Sequence, residues 1–295
     1  MKRNSPVIFE SGYCLKLSND LIWNIIPTKK TKDWVDEFAF TMGLKDSTSN
    51  NYSNIIFADS EELHSLQTEN MAYKICILKS VKVWFAQKTS NIICEINCEE
   101  EKEFMVMEMF QALYPVYQHI QDRGGVPLHA GLIVRDGIGV ALAASSSIGK
   151  STCCRRIPPP WQAICDDETL IVPDNRGQYL IHPFPTWSEY LNEKNFKRTW
   201  NVDTSVPLSA IFFLEQAETD EAILIGKGQS AVFISQIAIQ VYNRMWGESR
   251  YKEEKANKKG VFDNACRIAE TIPAYILRVS LKGKFWDEID NVISL

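Results

Sequence analysis

The chain has 295 residues, 45% of them hydrophobic, enough for one large domain or two of ordinary size around a substantial core. Its net charge is −5 with acidic and basic residues interspersed, which excludes the cationic surface that duplex nucleic acid or an anionic membrane requires. The longest apolar runs, 138–144 and 210–214, are too short to span a bilayer, and Asn4, Pro6 and Glu10 interrupt any signal-peptide core, so a cytoplasmic protein is expected.

In chain order, the first hundred residues read as a small β-rich lobe. "YCLKLS", "LIWNIIP", "SNIIFA", "AYKICILKSVKVWFAQ" and "NIICEINC" alternate or are β-branched between polar turns, with a helix near Trp34 to Met42 and a polar loop from Gly43 to Asn54. From Glu101 the period becomes helical through Phe104, Met107, Phe110, Leu113 and Tyr117, kinked at Pro115 and stopped by Gly124-Gly125. The change of period divides the chain into a 1–100 lobe and a 101–295 domain.

Past Pro127, "LHAGLIVRDGIGVALAA" is two apolar strands joined by the hairpin signal Asp136-Gly137. The second strand runs into "ASSSIGKST", and "KSTCCRRI" opens a helix cut short by Pro158-Pro159-Pro160. "WQAICDDETLIVP" reads as one strand carrying adjacent aspartates, paired across Asn175-Arg176-Gly177 with "QYLIHPFP". "VPLSAIFFLEQ" is a further buried strand, residues 230–246 and 252–272 are helical, and "AYILRVSL" precedes a final helix. Eight cysteines without a CxxC pair read as buried thiols, with no structural metal.

A strand feeding a small-residue loop that opens a helix makes a site for phosphate, because unpaired backbone N–H groups and the helix dipole both favour an anion. In the pattern GxxxxGK[ST] the lysine reaches the β- and γ-phosphates and the next hydroxyl holds Mg²⁺, which assigns those roles to Lys150 and Ser151. The cradle is then Ala144, Ser145, Ser146, Ser147, Ile148, Gly149, Lys150, Ser151 and Thr152, with Ala144 standing where the motif opens on glycine. The Asp166-Asp167 pair offers one carboxylate for a metal and one for an acceptor's proton, provided a bend turns both toward one site. His129 opens the strand pair that leads into the loop, and strand ends are where α/β sheets bind ligands.

The string "LHAGLIVRDGIGVALAASSSIGKST…AICDDETLIV" resembles the catalytic domain of the HPr kinase/phosphorylase family, which is related in its core to phosphoenolpyruvate carboxykinase. "HPFPTWSEYL", "VPLSAIFFLEQAETDE" and "FDNACRIAETIPAYILRVSLKGKFWDEI" look more narrowly like the HPr-kinase-like proteins of radical-SAM peptide-maturation cassettes of SynChlorMet type. The resemblance implies an α/β (α+β) fold, a P-loop catalytic core with a mixed sheet behind the β-rich lobe. It carries the general-base role to Asp166, a metal or orienting role to Asp167 and a supporting catalytic role to His129. Two departures stand out: Ala144 and Ser147 replace loop glycines, and Thr152 replaces the acidic residue that follows GKS and helps bind metal. Glu215, at the carboxyl end of "SAIFFLE", is a candidate to replace that ligand.

The resemblance therefore implies an ATP- and Mg²⁺-dependent kinase acting on a Ser or Thr hydroxyl of a ribosomally made precursor peptide or small protein. HPr itself is not the expected acceptor, because the first hundred residues do not resemble that family's N-terminal domain. Radical-SAM maturation enzymes are expected neighbours, a homo-oligomer is compatible with the kinship, and the β-rich lobe is assigned to peptide recognition. Two other readings stay open, a nucleotide-responsive peptide-binding module and a P-loop ATPase. The division of labour between Asp166 and Asp167 is open as well.

Overall fold

The computed structural model describes residues 9–17, 21–48, 52–67, 72–87, 89–145, 148–192, 200–245 and 251–293. The chain forms a mixed α/β structure with two mixed sheets, one in each of two compact units. The first unit takes residues 1–116, 187–203 and 245–248, and the second takes the rest. The first therefore runs past the change of period at Glu101 and draws in a segment from the second half of the sequence.

In the first unit the elements are β1 (Tyr13–Lys16), β2 (Ile22–Pro27), α1 (Lys32–Met42), β3 (Lys45–Asp46), β4 (Ser53–Ala58), α2 (Ser60–Leu66), β5 (Tyr73–Ile77), β6 (Lys82–Ala86), β7 (Ile92–Glu95) and α3 (Lys102–Ala112). The sheet order is β3-β1-β2-β4-β7-β6-β5, with β2, β4 and β7 parallel at its centre. Alternation along β4 sends Phe57 against Trp34 and Phe38 of α1, while Ile56 and Ala58 meet Leu63 of α2 on the other face. The segment from the second half is anchored here, as Trp200 Nε1 donates to Thr41 O at 2.9 Å and Trp187 packs edge-on against Phe110.

The second unit contains α4 (Tyr114–Asp122, its first turn in the first unit), β8 (Val126–Leu128), β9 (Ala130–Arg135), β10 (Ile138–Ala143), α5 (Lys150–Arg156), β11 (Gln162–Cys165), β12 (Thr169–Pro173) and β13 (Tyr179–Pro183). After α6 (Trp187–Asn192), which belongs to the first unit, come β14 (Val206–Gln216), β15 (Glu221–Leu224), α7 (Lys227–Met245), α8 (Tyr251–Thr271), β16 (Ala274–Val279) and α9 (Phe285–Val292). Sheet order is β11-β9-β10-β14-β13-β12-β8, with β16 beside β14 and β15 beside β16. The β9–β10 hairpin turns on Asp136 (φ 49°) and Gly137 (φ 80°), the left-handed pair that a two-residue turn needs.

The stretch 161–173 is two strands, correcting the single strand expected from its sequence. β11 pairs with β9 and β12 pairs with β8, and the break between them is the bend at Asp166-Asp167. The chain breaks again at His129, between β8 and β9. Both breaks lie where the sheet passes from one half to the other, so the acidic bend and the histidine are brought to one level of the sheet. All eight cysteines are free thiols, and five of them are buried.

Candidate functional site

The site is built at the carboxyl end of β10. β10 is buried from Gly139 to Ala143, lies parallel to β14, and delivers the chain to a loop that ends at α5. Gly149 caps that helix at φ 114°, a conformation that a side chain resists, so the glycine before Lys150 is a backbone requirement. α5 is seated by Cys153 and Cys154, which pack with Ile133, Val140, Leu142 and Trp161. Gly131 permits this close approach, since a Cβ there would lie 2.5 Å from Cys154 Sγ.

Lys150 is buried at 7% exposure, an unusual state for a lysine unless something answers its charge. Its Nζ donates to Ala144 O at 3.1 Å and lies 3.4 Å from His129 Nδ1. Neither partner is an anion. Burial pulls the ammonium down to about 8, opposed by the more distant charge of Asp167. His129 is also lowered, first by burial and then by Lys150 and Arg244, with Asp167 opposing. Its Nε2 stands 3.1 Å from Asp167 Oδ1, and that carboxylate is held below its usual range by His129, Arg244 and Lys150 despite burial. A neutral ring carrying its proton on Nε2 satisfies both neighbours, donating to Asp167 and accepting from Lys150 at Nδ1.

Asp166 turns to a different partner. Its Oδ1 accepts a 2.8 Å bond from Thr186 Oγ1, a residue 2% exposed in the "PFPTW" loop. The bend thus does what a straight strand cannot, giving each aspartate its own fixing contact within one site. Glu168, next in the chain, is buried and bonded by the Tyr117 hydroxyl, and burial pushes it up to about 8. The loop is held from two sides, by Gln216 Nε2 donating to Ile148 O at 3.1 Å and by Gln240 Nε2 to Ser145 Oγ at 3.3 Å.

Among the residues singled out from sequence, His129, Lys150 and Asp167 are in direct contact, and Asp166 shares the bend with Asp167. Ala144 is buried beneath the loop, Ser145 and Thr152 are exposed, and Ile148, Gly149 and Ser151 are half-buried. Ser146 and Ser147 lie outside the described residues. Among the described residues no bond draws Glu215 to the cluster; its carboxylate pairs with Arg278 Nε at 3.6 Å on β16. Three participants were not read from the sequence: Arg244 at the end of α7, whose guanidinium nitrogen lies 3.1 Å from His129 Nε2, Thr186, and the Tyr117–Glu168 pair. Arg244 is 115 positions from His129, and only the last turn of α7 brings it there.

An anion fits this site, because among the described residues no carboxylate stands at bonding distance of the buried Lys150, whose ammonium is pulled down by burial. Among the described residues no three His, Cys, Asp or Glu side chains are grouped to hold a metal. Mg²⁺ bound with phosphates takes only one or two protein oxygens, so Ser151 and Asp167 are sufficient in kind.

The features together define a two-sheet α/β protein with a buried lysine–histidine–aspartate cluster where a strand passes through a GKS loop into a helix. Over residues 92–294 the chain matches the model of the family described as SynChlorMet cassette protein ScmC, and it belongs to that family. No curated protein matches it. Among the described residues no helix is long and apolar enough to cross a membrane.

Proposed function

We propose that the chain is an HPr-kinase-like, ATP-dependent kinase that phosphorylates a Ser or Thr hydroxyl on a ribosomally made precursor peptide of its cassette. The observation that carries this reading is the meeting of Lys150, His129 and Asp167 at the end of β10, with Asp166 fixed beside them. Membership of a cassette family supports the peptide as acceptor, and the β-rich lobe is the proposed place of its recognition.

Each side chain then has a task. Lys150, held at the mouth of α5, neutralises phosphate charge, and a bound polyanion answers the ammonium that burial makes costly. Asp166 has one oxygen fixed by Thr186 and the other available to take the acceptor hydroxyl's proton. Asp167 is oriented by His129 and, with Ser151, is the group that would hold Mg²⁺, whose chemistry when bound is to neutralise the phosphates. Since Asp167 carries the histidine contact and Asp166 does not, we assign Asp166 as base and Asp167 as metal or orienting residue.

A second reading has one observation in its favour. Glu215, the candidate replacement for the acidic residue absent at Thr152, is spent on Arg278, which leaves the metal oxygens few and suits a nucleotide-responsive peptide-binding module. The two part on one assay, incubation of the protein with Mg²⁺, ATP and the cassette's precursor peptide, read by intact mass. A one-phosphate gain that disappears in Lys150→Ala supports the kinase, whereas lysine-dependent nucleotide binding with an unmodified peptide supports the module.

A further inference from the structure

We infer that the cleft at the amino end of α7 is a second ligand site, one that takes the α-carboxylate and apolar side chain of an amino-acid residue, whether free or at the carboxyl terminus of a peptide. It lies wholly within the second unit and does not depend on the kinase reading.

β15 delivers the chain into α7 through Ile225-Gly226-Lys227-Gly228-Gln229-Ser230, and the cleft beside this turn has a volume of about 310 Å³. The first N–H groups of a helix have no partner within it, and the helix dipole makes them attractive to an anion. Gly226, just before the helix, has no side chain with which to cap them. Two further observations point to a ligand. Ser230 is 2% exposed and lines the cleft, yet among the described residues its hydroxyl has no hydrogen-bond partner. A buried hydroxyl in that state costs free energy that a bound acceptor would recover. Gly228 stands in the first turn of the helix, where glycine is disfavoured, and neither a left-handed φ nor packing accounts for it, because a Cβ there would meet nothing within 4 Å. Its effect is to leave the N–H groups open to close approach.

The other walls define what fits. Leu224, 65% exposed, forms an apolar side with Ile225, Ile272 and Pro273. Lys227 Nζ pairs with Glu270 Oε2 at 2.8 Å, both side chains reaching into solvent, so the donors of α7 face a carboxylate at the carboxyl end of α8. Inorganic phosphate has no use for the apolar side and is repelled by Glu270. An α-amino-acid unit matches every wall. Its carboxylate accepts from the N–H groups of α7, from Lys227 and from the Ser230 hydroxyl, its nitrogen donates to Glu270, and its side chain covers Leu224 and Ile272. The volume is at the low end for small-molecule sites, which suits a single residue. Capture of a terminal carboxylate by backbone N–H groups is a recurring mode of peptide recognition.

The experiment labels the full chain with ¹⁵N-glycine and follows its amide resonances during titration with leucine, N-acetyl-leucine, N-acetyl-leucinamide and inorganic phosphate. Wild type, Ser230→Ala and Gly228→Leu are compared, and the signal missing from Gly228→Leu identifies Gly228. An acid should shift that signal, while the amide and phosphate bind at least about tenfold more weakly. Binding of N-acetyl-leucine assigns the site to a peptide's carboxyl terminus and binding of leucine alone to a free amino acid; either supports the inference. Ser230→Ala should weaken the acid by about tenfold or more yet melt at or above the wild type, since the hydroxyl it removes has no partner. Gly228→Leu should melt no lower than the wild type, leucine being the better helix former, and should lose binding. No shift with either acid at millimolar concentration, an amide or phosphate that binds as well as the acid, or undiminished binding in either variant overturns it. None of these outcomes depends on phosphoryl transfer.

Discussion

Lys150 holds a charge where water cannot answer it, and two predictions follow for single residues. Because burial brings its ammonium to about 8 from an ordinary value near 10.5, the unfolded chain holds that proton more tightly between those values. The stability it contributes is thus fully present only above about pH 10.5 and is lost as pH falls through 8. Lys150→Met should raise the melting temperature at pH 7 while abolishing triphosphate binding, a trade of stability for function that calorimetry and thermal melts can check. In the wild type, anion binding above pH 8 should take up a proton, so affinity should fall by roughly tenfold per unit as pH rises from 8 to 10. Glu168 has the opposite sign. Its carboxyl is raised to about 8, so its contribution is complete below pH 4.5 and lost as pH rises through 8. Glu168→Gln should flatten the melting curve across that window, and an unchanged pH dependence would show that burial does not hold the proton there. Lys150, Gly149 and His129 were legible in the sequence because each is tied to a local pattern, a loop, a cap or a strand start. Arg244 and Thr186 were not, because an arginine on a helix and a threonine in a proline loop carry no local sign of what lies across the fold.

At the level of elements, the site depends on α5 lying close against β9. Gly131 is the point of contact, with Cys154 Sγ 2.5 Å from where its Cβ would be. Gly131→Ala should destabilise by about 1–3 kcal/mol through overpacking and also weaken triphosphate binding, since α5 carries Lys150. Adding Cys154→Ala should restore part of both, because the atom that clashes is then gone; a double variant no better than the single would place the strain elsewhere. The strands and the β9–β10 hairpin were readable from β-branched runs and Asp-Gly, but the order of the strands and the break at Asp166-Asp167 were not. The apolar runs Ala163–Cys165 and Leu170–Val172 on either side of Asp166-Asp167-Glu168 read as one strand whether or not the chain changes neighbours midway, and only pairing with β9 on one side and β8 on the other reveals the bend. That bend is what gives two adjacent carboxylates separate partners, Thr186 and His129.

For the whole molecule, the first unit is assembled from distant parts of the chain. Trp187, Tyr190 and Trp200 are buried within it, Tyr190 donating to Glu37 Oε1 at 2.5 Å and Trp200 to Thr41 O. A fragment starting at residue 101 would strip Tyr190 of Glu37 and Trp200 of Thr41, so it should be less soluble and melt lower than the full chain even though its GKS loop is intact, a comparison for light scattering and thermal melts. Sequence periodicity placed the seam near residue 100 because it reads only neighbours, and the return of 187–203 to the first unit has no periodic signature. The central claim is that Lys150, His129 and the two aspartates transfer a phosphoryl group to a peptide hydroxyl. The measurement that tests it most directly is intact-mass analysis of the cassette's precursor peptide after incubation with Mg²⁺, ATP and the wild type, Lys150→Ala or Asp166→Asn. The account predicts a single phosphate on a Ser or Thr with the wild type and none with either variant. A peptide left unmodified by a wild type that binds ATP, or modified equally by all three proteins, would contradict it.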